Sequence, residues 1–129
     1  MAVYIIAEAG VNHNGRLDLA LRLCDVAKAA GVDAVKFQTW KTEKIVTQTA
    51  AKATYQVENT HSNEETQFDM LKKLELSYRQ FFEIKEYCDK IGIDFLSTPD
   101  EEDSLDFLVS LHLPFLKIGS GEVNNIPYL

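Results

Sequence analysis

The sequence predicts an α/β fold in which parallel strands alternate with helices. Short, dense apolar runs alternate with longer segments whose apolar residues recur at helical spacing, which is typical of βα units and a parallel sheet. Polar side chains also follow each of four apolar runs, where a parallel sheet gathers its ligand-binding groups. Because the composition shows no break along the 129 residues, we expect a single domain spanning residues 1–129.

The first part of the chain predicts two strands around one helix. Residues 3–7 form a dense apolar run that predicts a central strand. Apolar residues at helical spacing predict the first helix over 16–30, and Gly31 is a typical end for it. Residues 33–39 alternate between apolar and polar side chains, which predicts the second strand.

The middle of the chain predicts a long connection and two helices. Residues 40–63 are polar and lack sustained periodicity, and connections of this length are usually functional or mobile. A helix is predicted over 64–74 and another over 77–91. Ser77 and Gln80, three residues apart, predict a capping box at the start of the second helix.

The last part predicts two more strands. Residues 93–97 and 115–119 are the third and fourth apolar runs, and a helix over 100–111 is predicted between them. Thr98 is a candidate N-cap for that helix because Glu101 follows three residues later. Capping is compatible with ligand binding at the same residue, since helix amides point outwards there.

Composition and charge narrow the classes of function. A formal net charge of -7 disfavours nucleic acid and anionic membrane surfaces as partners, because either would require a basic face. The chain starts without a basic leader region and has no run approaching the ~20 apolar residues of a membrane span. Cys24 and Cys88 fall at apolar helix positions, which predicts buried free thiols. Together these features predict a cytoplasmic protein.

The polar residues after the four strands are the candidate site. A lysine inside a buried strand is costly unless it meets an anion, and both Lys36 and Lys117 occupy such positions. Two lysines on one rim would create a local positive potential in an acidic protein, as a phosphate or carboxylate ligand requires. The polar residues expected on this rim are Glu8, Lys36, Gln38, Thr98, Lys117, Ser120 and Glu122.

Several of these residues have simpler interpretations. Glu8 and Lys36 could form a structural ion pair. His13 lies between two asparagines, where a loop hydrogen-bonding role is commoner than metal ligation. The acidic run over 100–103 is typical of a solvated helix start, where negative charge suits the dipole.

Four motifs together give the sequence a family resemblance. Residues 6–15 (IAEAGVNHNG), 35–38 (VKFQ), 97–99 (STP) and 117–122 (KIGSGE) resemble the N-acetylneuraminate (sialic acid) synthase family in order and register. The segments between them agree as well, so the resemblance covers nearly the whole chain.

The resemblance implies a fold and a reaction. The fold is a TIM (β/α)8 barrel, of which this chain supplies the first half with four strands, while the remaining strands and a C-terminal antifreeze-like domain are absent. The enzyme condenses phosphoenolpyruvate with an N-acetylated amino sugar such as N-acetylmannosamine, giving N-acetylneuraminate or a related nonulosonic acid and releasing phosphate. A homodimer is expected, with a divalent metal, Mn²⁺ or Mg²⁺, whose ligands lie beyond Leu129 rather than in this chain.

The resemblance also implies residue roles. Glu8 and Glu122 would be the catalytic residues facing the sugar. The substrate-binding residues would be Lys36, Gln38, Tyr55, Thr98, Lys117 and Ser120. One departure is that Asp100 stands where the family commonly has an aromatic residue, which affects local packing and helix entry. The alternative function is a non-catalytic half-barrel fragment that acts as an anion-binding or self-assembling module, because unpaired strand edges favour association.

Overall fold

The sheet is parallel, as predicted, and contains three strands. The computed structural model describes residues 2–46 and 66–129. Within these residues, strands β1 (Ile6–Gly10), β2 (Ala34–Thr39) and β3 (Asp94–Pro99) form one sheet in the order β1-β2-β3. Both pairs of neighbouring strands are parallel, so all three carboxyl ends lie along one edge of the sheet.

Helices connect and cover the strands. The helices of the described residues are α1 (Leu17–Ala29), α2 (Thr42–Ile45), α3 (Gln67–Leu74), α4 (Tyr78–Ile91) and α5 (Glu102–Ser110), and a 3₁₀ turn covers Ser120–Glu122. In the part of the chain that the structure describes, no helix is both long and apolar enough to cross a membrane.

The core lies between β2, β3 and the helices α1 and α4. Phe37 on β2 stacks on Phe95 of β3 with 6.0 Å between ring centroids, and Phe81 of α4 meets Phe37 edge-on. Cys24 and Cys88 are buried free thiols, as predicted, with 3.5 Å between their sulfur atoms. The contact with Cys24 and burial raise the pKa of the Cys88 thiol, so both sulfurs pack as apolar atoms.

The predicted start and end of α4 are confirmed. The Ser77 hydroxyl accepts a hydrogen bond from the Gln80 amide, and the Gln80 side chain accepts one from the Ser77 amide. Gly92 ends the helix in the left-handed conformation with φ 76°. The other capping box, formed by Thr66 and Asp69 at the start of α3, was not predicted.

The predicted first strand was displaced, and its central position was wrong. β1 begins at Ile6 because the amide of Ile5 donates to the side chain of Asp33, at 2.7 Å, instead of to a strand carbonyl. The ladder therefore starts where Ile6 faces Ala34. β1 is an edge strand among the described residues, and Glu8 lies inside it, not in the loop after it.

The predicted fourth strand is absent from the described residues. Residues 115–119 belong to no helix or sheet, and the side chains of Phe115, Leu116 and Ile118 are exposed. Pro114 removes one ladder donor, and the edge-on contact of Phe115 with the Tyr4 ring, 5.4 Å between centroids, still leaves Phe115 56% exposed. The expectation that Lys117 is a lysine in a buried strand was therefore wrong, because Lys117 is exposed.

The predicted cap of the last helix was also wrong. Thr98 and Pro99 are the final residues of β3, and α5 begins after Glu101. The Glu101 carboxylate accepts hydrogen bonds from the amides of Asp103 and Ser104, at 2.8 and 3.2 Å. A carboxylate satisfies the free amides of a helix start as well as a hydroxyl does, so the hydroxyl of Thr98 stays available on the rim.

Candidate functional site at the carboxyl ends of the strands

Lys36 lies at the centre of the rim. It sits in the middle strand with Glu8 of β1 directly opposite, while Thr98 of β3 faces Gln38, two residues further along β2. The ammonium of Lys36 donates to Glu8 Oε1 at 2.6 Å and to Thr98 Oγ1 at 3.4 Å. The parallel register thus brings three of the predicted site residues into direct contact.

The Glu8–Lys36 ion pair proposed from the sequence is present and is unevenly buried. The side chain of Lys36 is 9% exposed, whereas that of Glu8 is 63% exposed. A buried ammonium requires a compensating anion, and Glu8 supplies one. Because Glu8 remains largely in solvent, it can move aside for a ligand at lower cost than Lys36 could.

A cleft of about 260 Å³ opens beside this pair. Lys36 and Thr98 line it together with residues of the segment from 117 to 122. The predicted site residues that line the cleft are Lys36, Gln38, Thr98, Lys117, Ser120 and Glu122. Glu8 joins them through its contact with Lys36, and Tyr55 lies outside the described residues.

The last segment passes over the end of β3. Gly119 lies so close to Thr98 that a Cβ atom on it would be 3.4 Å from the threonine methyl group. The hydroxyl of Tyr128 donates to the carbonyl of Pro99 at 3.1 Å. These contacts place Ser120 and Glu122 at the cleft, although no strand holds them there. The ammonium of Lys117 donates to the carbonyl of Ile118 at 2.6 Å.

Asp100 also lines this cleft, which the sequence did not lead us to expect. It lines the cleft of about 260 Å³ and a neighbouring acidic cleft of about 350 Å³. Burial raises the pKa of Asp100 to about 6, and the carboxylates of Glu122 and Glu101 add to this effect, while Lys36 opposes it. The available signal was an aspartate directly after Thr98 and Pro99, which we interpreted only as a change in packing.

His13 is a buried loop residue close to the end of β1. Its Nδ1 accepts a hydrogen bond from the amide of Gly15 at 3.0 Å, which fits the loop hydrogen-bonding interpretation. Its Nε2 has no hydrogen-bond partner among the described residues. Because Nδ1 is the acceptor, Nε2 carries the proton of the neutral ring. Burial lowers the pKa of His13, so the neutral form is favoured.

We expect His13 to make the protein less stable in mild acid. With the folded pKa lowered, the unfolded chain binds a proton first as the pH falls below about 6.5. The free energy of unfolding should then fall by up to about 1.4 kcal/mol per pH unit until the folded pKa is reached. Urea unfolding at pH 5 and pH 7.5 measures this, and the pH slope should diminish in His13→Asn but not in His112→Asn, which alters an exposed histidine. An equal slope in both variants would assign the acid sensitivity to other groups.

The described residues do not assemble a metal site. No group of three or more His, Cys, Asp or Glu side chains within them could hold a metal ion.

Comparison with known proteins identifies the family. The sequence model of the NeuB family matches residues 23–129, most of the chain. The chain belongs to the NeuB family. The rim of β1, β2 and β3 is therefore the candidate active site of a NeuB family member.

Several curated relatives are named as sugar-acid synthases. The chain is 51% identical to the N,N'-diacetyllegionaminic acid synthase of Legionella pneumophila over 129 residues, covering 100% of this chain and 36% of the relative. It is 39% identical to the human N-acetylneuraminate-9-phosphate synthase over 126 residues, covering 98% of this chain and 34% of the relative. The chain thus spans about a third of the length of these relatives.

A solved structure shares the fold. The crystal structure of the N-acetylneuraminic acid (sialic acid) synthetase of Leptospira borgpetersenii serovar Hardjo-bovis, in complex with citrate, matches with a TM-score of 0.76 and 34% identity. The match covers 98% of this chain and 39% of the synthetase. The α/β fold with parallel strands is therefore similar to part of that synthetase.

Proposed function

We propose that this chain forms part of a sugar-acid synthase that condenses phosphoenolpyruvate with an N-acetylated amino sugar. The observation that carries the proposal is the cleft at the carboxyl ends of the strands. There, in a member of the NeuB family, Lys36, Thr98 and Lys117 line one space of about 260 Å³. The product would be N-acetylneuraminate or a related nonulosonic acid.

We place the chain in a (β/α)8 barrel as its N-terminal part. Among the described residues, β1 and β3 each have one unpaired edge. Large apolar side chains are exposed near them, including Ile5, Phe115 and Ile118. Further strands would pair with these edges and cover these side chains. The C-terminal antifreeze-like domain and the homodimer belong to the same proposal, and the cytoplasmic location stays a prediction.

Phosphoenolpyruvate binding is assigned to the lysine side of the cleft. The ammonium groups of Lys36 and Lys117 would offset the charges of the phosphate and carboxylate groups. The hydroxyls of Thr98 and Ser120 would donate hydrogen bonds to the same anion, and the Gln38 amide would orient it. Tyr55 is a further proposed contact. Glu8 would keep the Lys36 ammonium in place until the ligand arrives.

Carbon–carbon bond formation is assigned to the carboxylate side. The enol carbon of phosphoenolpyruvate attacks the aldehyde of the open-chain sugar, and the aldehyde oxygen takes up a proton from solvent. Water adds to the resulting cation at C2, and Glu122 accepts one proton of that water. The C2–O bond to phosphate then breaks, the new hydroxyl gives its remaining proton to the departing phosphate, and the ketone forms. Glu8 would face the sugar and orient its hydroxyls.

The proposal includes a divalent ion, Mn²⁺ or Mg²⁺, which would be bound by residues beyond Leu129. The described residues do not fit such an ion, because they form no suitable donor group. None of the steps above involves it.

The test is an isotope-traced assay of the full-length gene product. Phosphoenolpyruvate labelled with ¹⁸O at the C2–O–P bridge is incubated with N-acetylmannosamine or a diacetamido sugar, and phosphate is analysed by mass spectrometry. Cleavage of the C–O bond leaves the label in phosphate, whereas simple phosphatase attack at phosphorus leaves it in pyruvate. We expect labelled phosphate that depends on the sugar. Unlabelled phosphate, or none with either sugar, would contradict the proposal and favour the non-catalytic alternative.

A further inference from the structure

Asp100 stands at the junction of the two clefts. Its backbone amide donates to the carbonyl of Thr39 at 3.0 Å, which anchors it to the end of β2. Its side chain lines the cleft that holds Lys36 and Thr98 and also the neighbouring acidic cleft. A ligand filling the lysine cleft and extending outwards would pass this carboxyl group.

The Asp100 carboxyl is half-buried and lacks a protein partner. Among residues 2–46 and 66–129 its side chain makes no hydrogen bond and no ion pair, although its neighbour Glu101 caps α5. Its oxygens are not among the fully buried atoms without a partner in the described residues, so they still contact water. A ligand that supplies a hydrogen-bond donor can replace that water at the carboxyl group.

The charge of Asp100 disfavours phosphoenolpyruvate as that ligand. A carboxylate beside Lys36 weakens the attraction for a phosphate and cannot donate to it when ionised. A neutral amino sugar instead offers hydroxyl and amide N–H donors. The part of the substrate pair that fits Asp100 is therefore the sugar.

We propose that Asp100 is a specificity-determining residue whose carboxylate accepts a hydrogen bond from a hydroxyl or amide N–H group of the amino sugar. This inference rests on the proposed synthase function and names a contact within the same site. A charge-assisted hydrogen bond of this kind discriminates strongly between sugars that carry the donor and sugars that lack it.

The groups around Asp100 bring its pKa close to the pH at which most enzymes work. Burial, Glu122 and Glu101 raise its pKa to about 6, and Lys36 opposes the rise. The other charged or titratable groups around the neighbouring cleft are Lys44, Glu102, Asp103 and Tyr128. The carboxylate form thus dominates at neutral pH, and sugar binding should weaken as the pH falls through about 6.

Steady-state kinetics of the full-length enzyme with Asp100→Leu test the contact. The KM for the amino sugar should rise about 10-fold to 100-fold, because the charged acceptor is lost. The KM for phosphoenolpyruvate should stay the same or fall, because a negative charge beside its binding lysine is removed. Asp106→Leu, which alters an exposed aspartate on α5, is the matched control and should leave both constants unchanged.

The pH profile gives a second readout with a more conservative variant. In the wild type, kcat/KM for the sugar should fall about tenfold per unit below pH 6. The Asp100→Asn variant keeps the shape of the side chain but does not titrate, so its kcat/KM for the sugar should not show the fall that is due to protonation of Asp100. A wild type and an Asp100→Asn variant with the same profile would overturn the role of the carboxylate.

The outcomes separate this inference from the proposed function. An inactive wild type overturns the synthase function and the inference with it. An active wild type, with an unchanged sugar KM or with equal rises in both KM values for Asp100→Leu, overturns the inference alone. Running the assays with N-acetylmannosamine and with a diacetamido sugar identifies the donor, since a larger loss with the diacetamido sugar assigns it to the second amide and equal losses assign it to a hydroxyl.

Discussion

Replacing Lys36 with methionine in the full-length enzyme should reduce kcat/KM for phosphoenolpyruvate by at least about 100-fold while leaving the protein folded. The buried ammonium of Lys36 is the positive group held most firmly at the cleft, since β2 fixes it and Glu8 and Thr98 contact it. A desolvated charge acting on an anion contributes more than an exposed one, because water screens it less. Methionine keeps an unbranched side chain that is one atom shorter, and it removes the charge together with the N–H donors to Glu8 and Thr98.

The fold should tolerate this change. Replacing one member of a buried ion pair is harmful when the other charge stays buried, but the carboxylate left behind here is that of Glu8, which is 63% exposed. Water can solvate it once Lys36 is gone. The free energy of unfolding, from urea titration, should therefore change by less than about 1 kcal/mol.

A matched lysine elsewhere provides the control. Lys90 is exposed on α4, away from the carboxyl ends of the strands, so Lys90→Met should leave kinetics unchanged. If Lys36→Met lost stability and retained activity, the Glu8–Lys36 pair would be structural only, and the phosphoenolpyruvate role of Lys36 would be refuted.

The sequence contained enough information for β2 and for the helix ends, because these depend on neighbouring residues. The alternation over 33–39 predicted β2 closely, since a strand with its own side-chain pattern needs little outside help. Ser77 with Gln80, and Gly92, likewise determined the ends of α4 through local hydrogen bonds and backbone conformation.

The elements that depend on distant partners were less predictable. The fourth apolar run, 115–119, has the composition of a strand, yet a strand also needs a hydrogen-bonded neighbour, and the described residues provide none. The start of β1 depended on one side chain, that of Asp33, which takes the amide of Ile5. The periodicity of the sequence does not show that a side chain replaces a strand carbonyl as the hydrogen-bond acceptor.

The site was predictable in its membership and less so in its electrostatics. Placing polar residues at strand ends brought Lys36 and Thr98 to one cleft, whereas Ser120 and Glu122 line the same cleft without the predicted fourth strand. The spacing of these residues could not show that Glu8 lies opposite Lys36, since that depends on the register between strands. Nor could it show that Asp100 carries an unpaired carboxyl into the same space, because burial is a property of the assembled fold.

Replacing Gly15 with alanine should lower the free energy of unfolding by about 2–5 kcal/mol. Gly15 adopts φ 75°, which costs a residue with a side chain about 1–2 kcal/mol. A Cβ atom there would also lie 2.0 Å from the backbone carbonyl oxygen of Lys73 near the end of α3, far inside contact distance. Because backbone cannot rotate away as a side chain can, α3 or the loop after β1 must shift, adding about 1–3 kcal/mol.

The same substitution at Gly31 separates the cost of the backbone conformation from the cost of the steric contact. It has φ 79°, nearly the same conformation, but a Cβ atom on it would meet nothing within 4 Å. Gly31→Ala should therefore lose only the conformational part, about 1–2 kcal/mol. Urea unfolding of both variants measures the difference, which is the contribution of the contact between the loop and α3. The contact between Gly15 and α3 also affects the candidate site, because the loop that contains Gly15 follows β1, the strand that holds Glu8. In the same loop, the ring of His13 accepts a hydrogen bond from the Gly15 amide. If both variants lost the same free energy of unfolding, α3 would be able to shift away from the added methyl group without cost. The packing of α3 would then contribute nothing to the position of this loop.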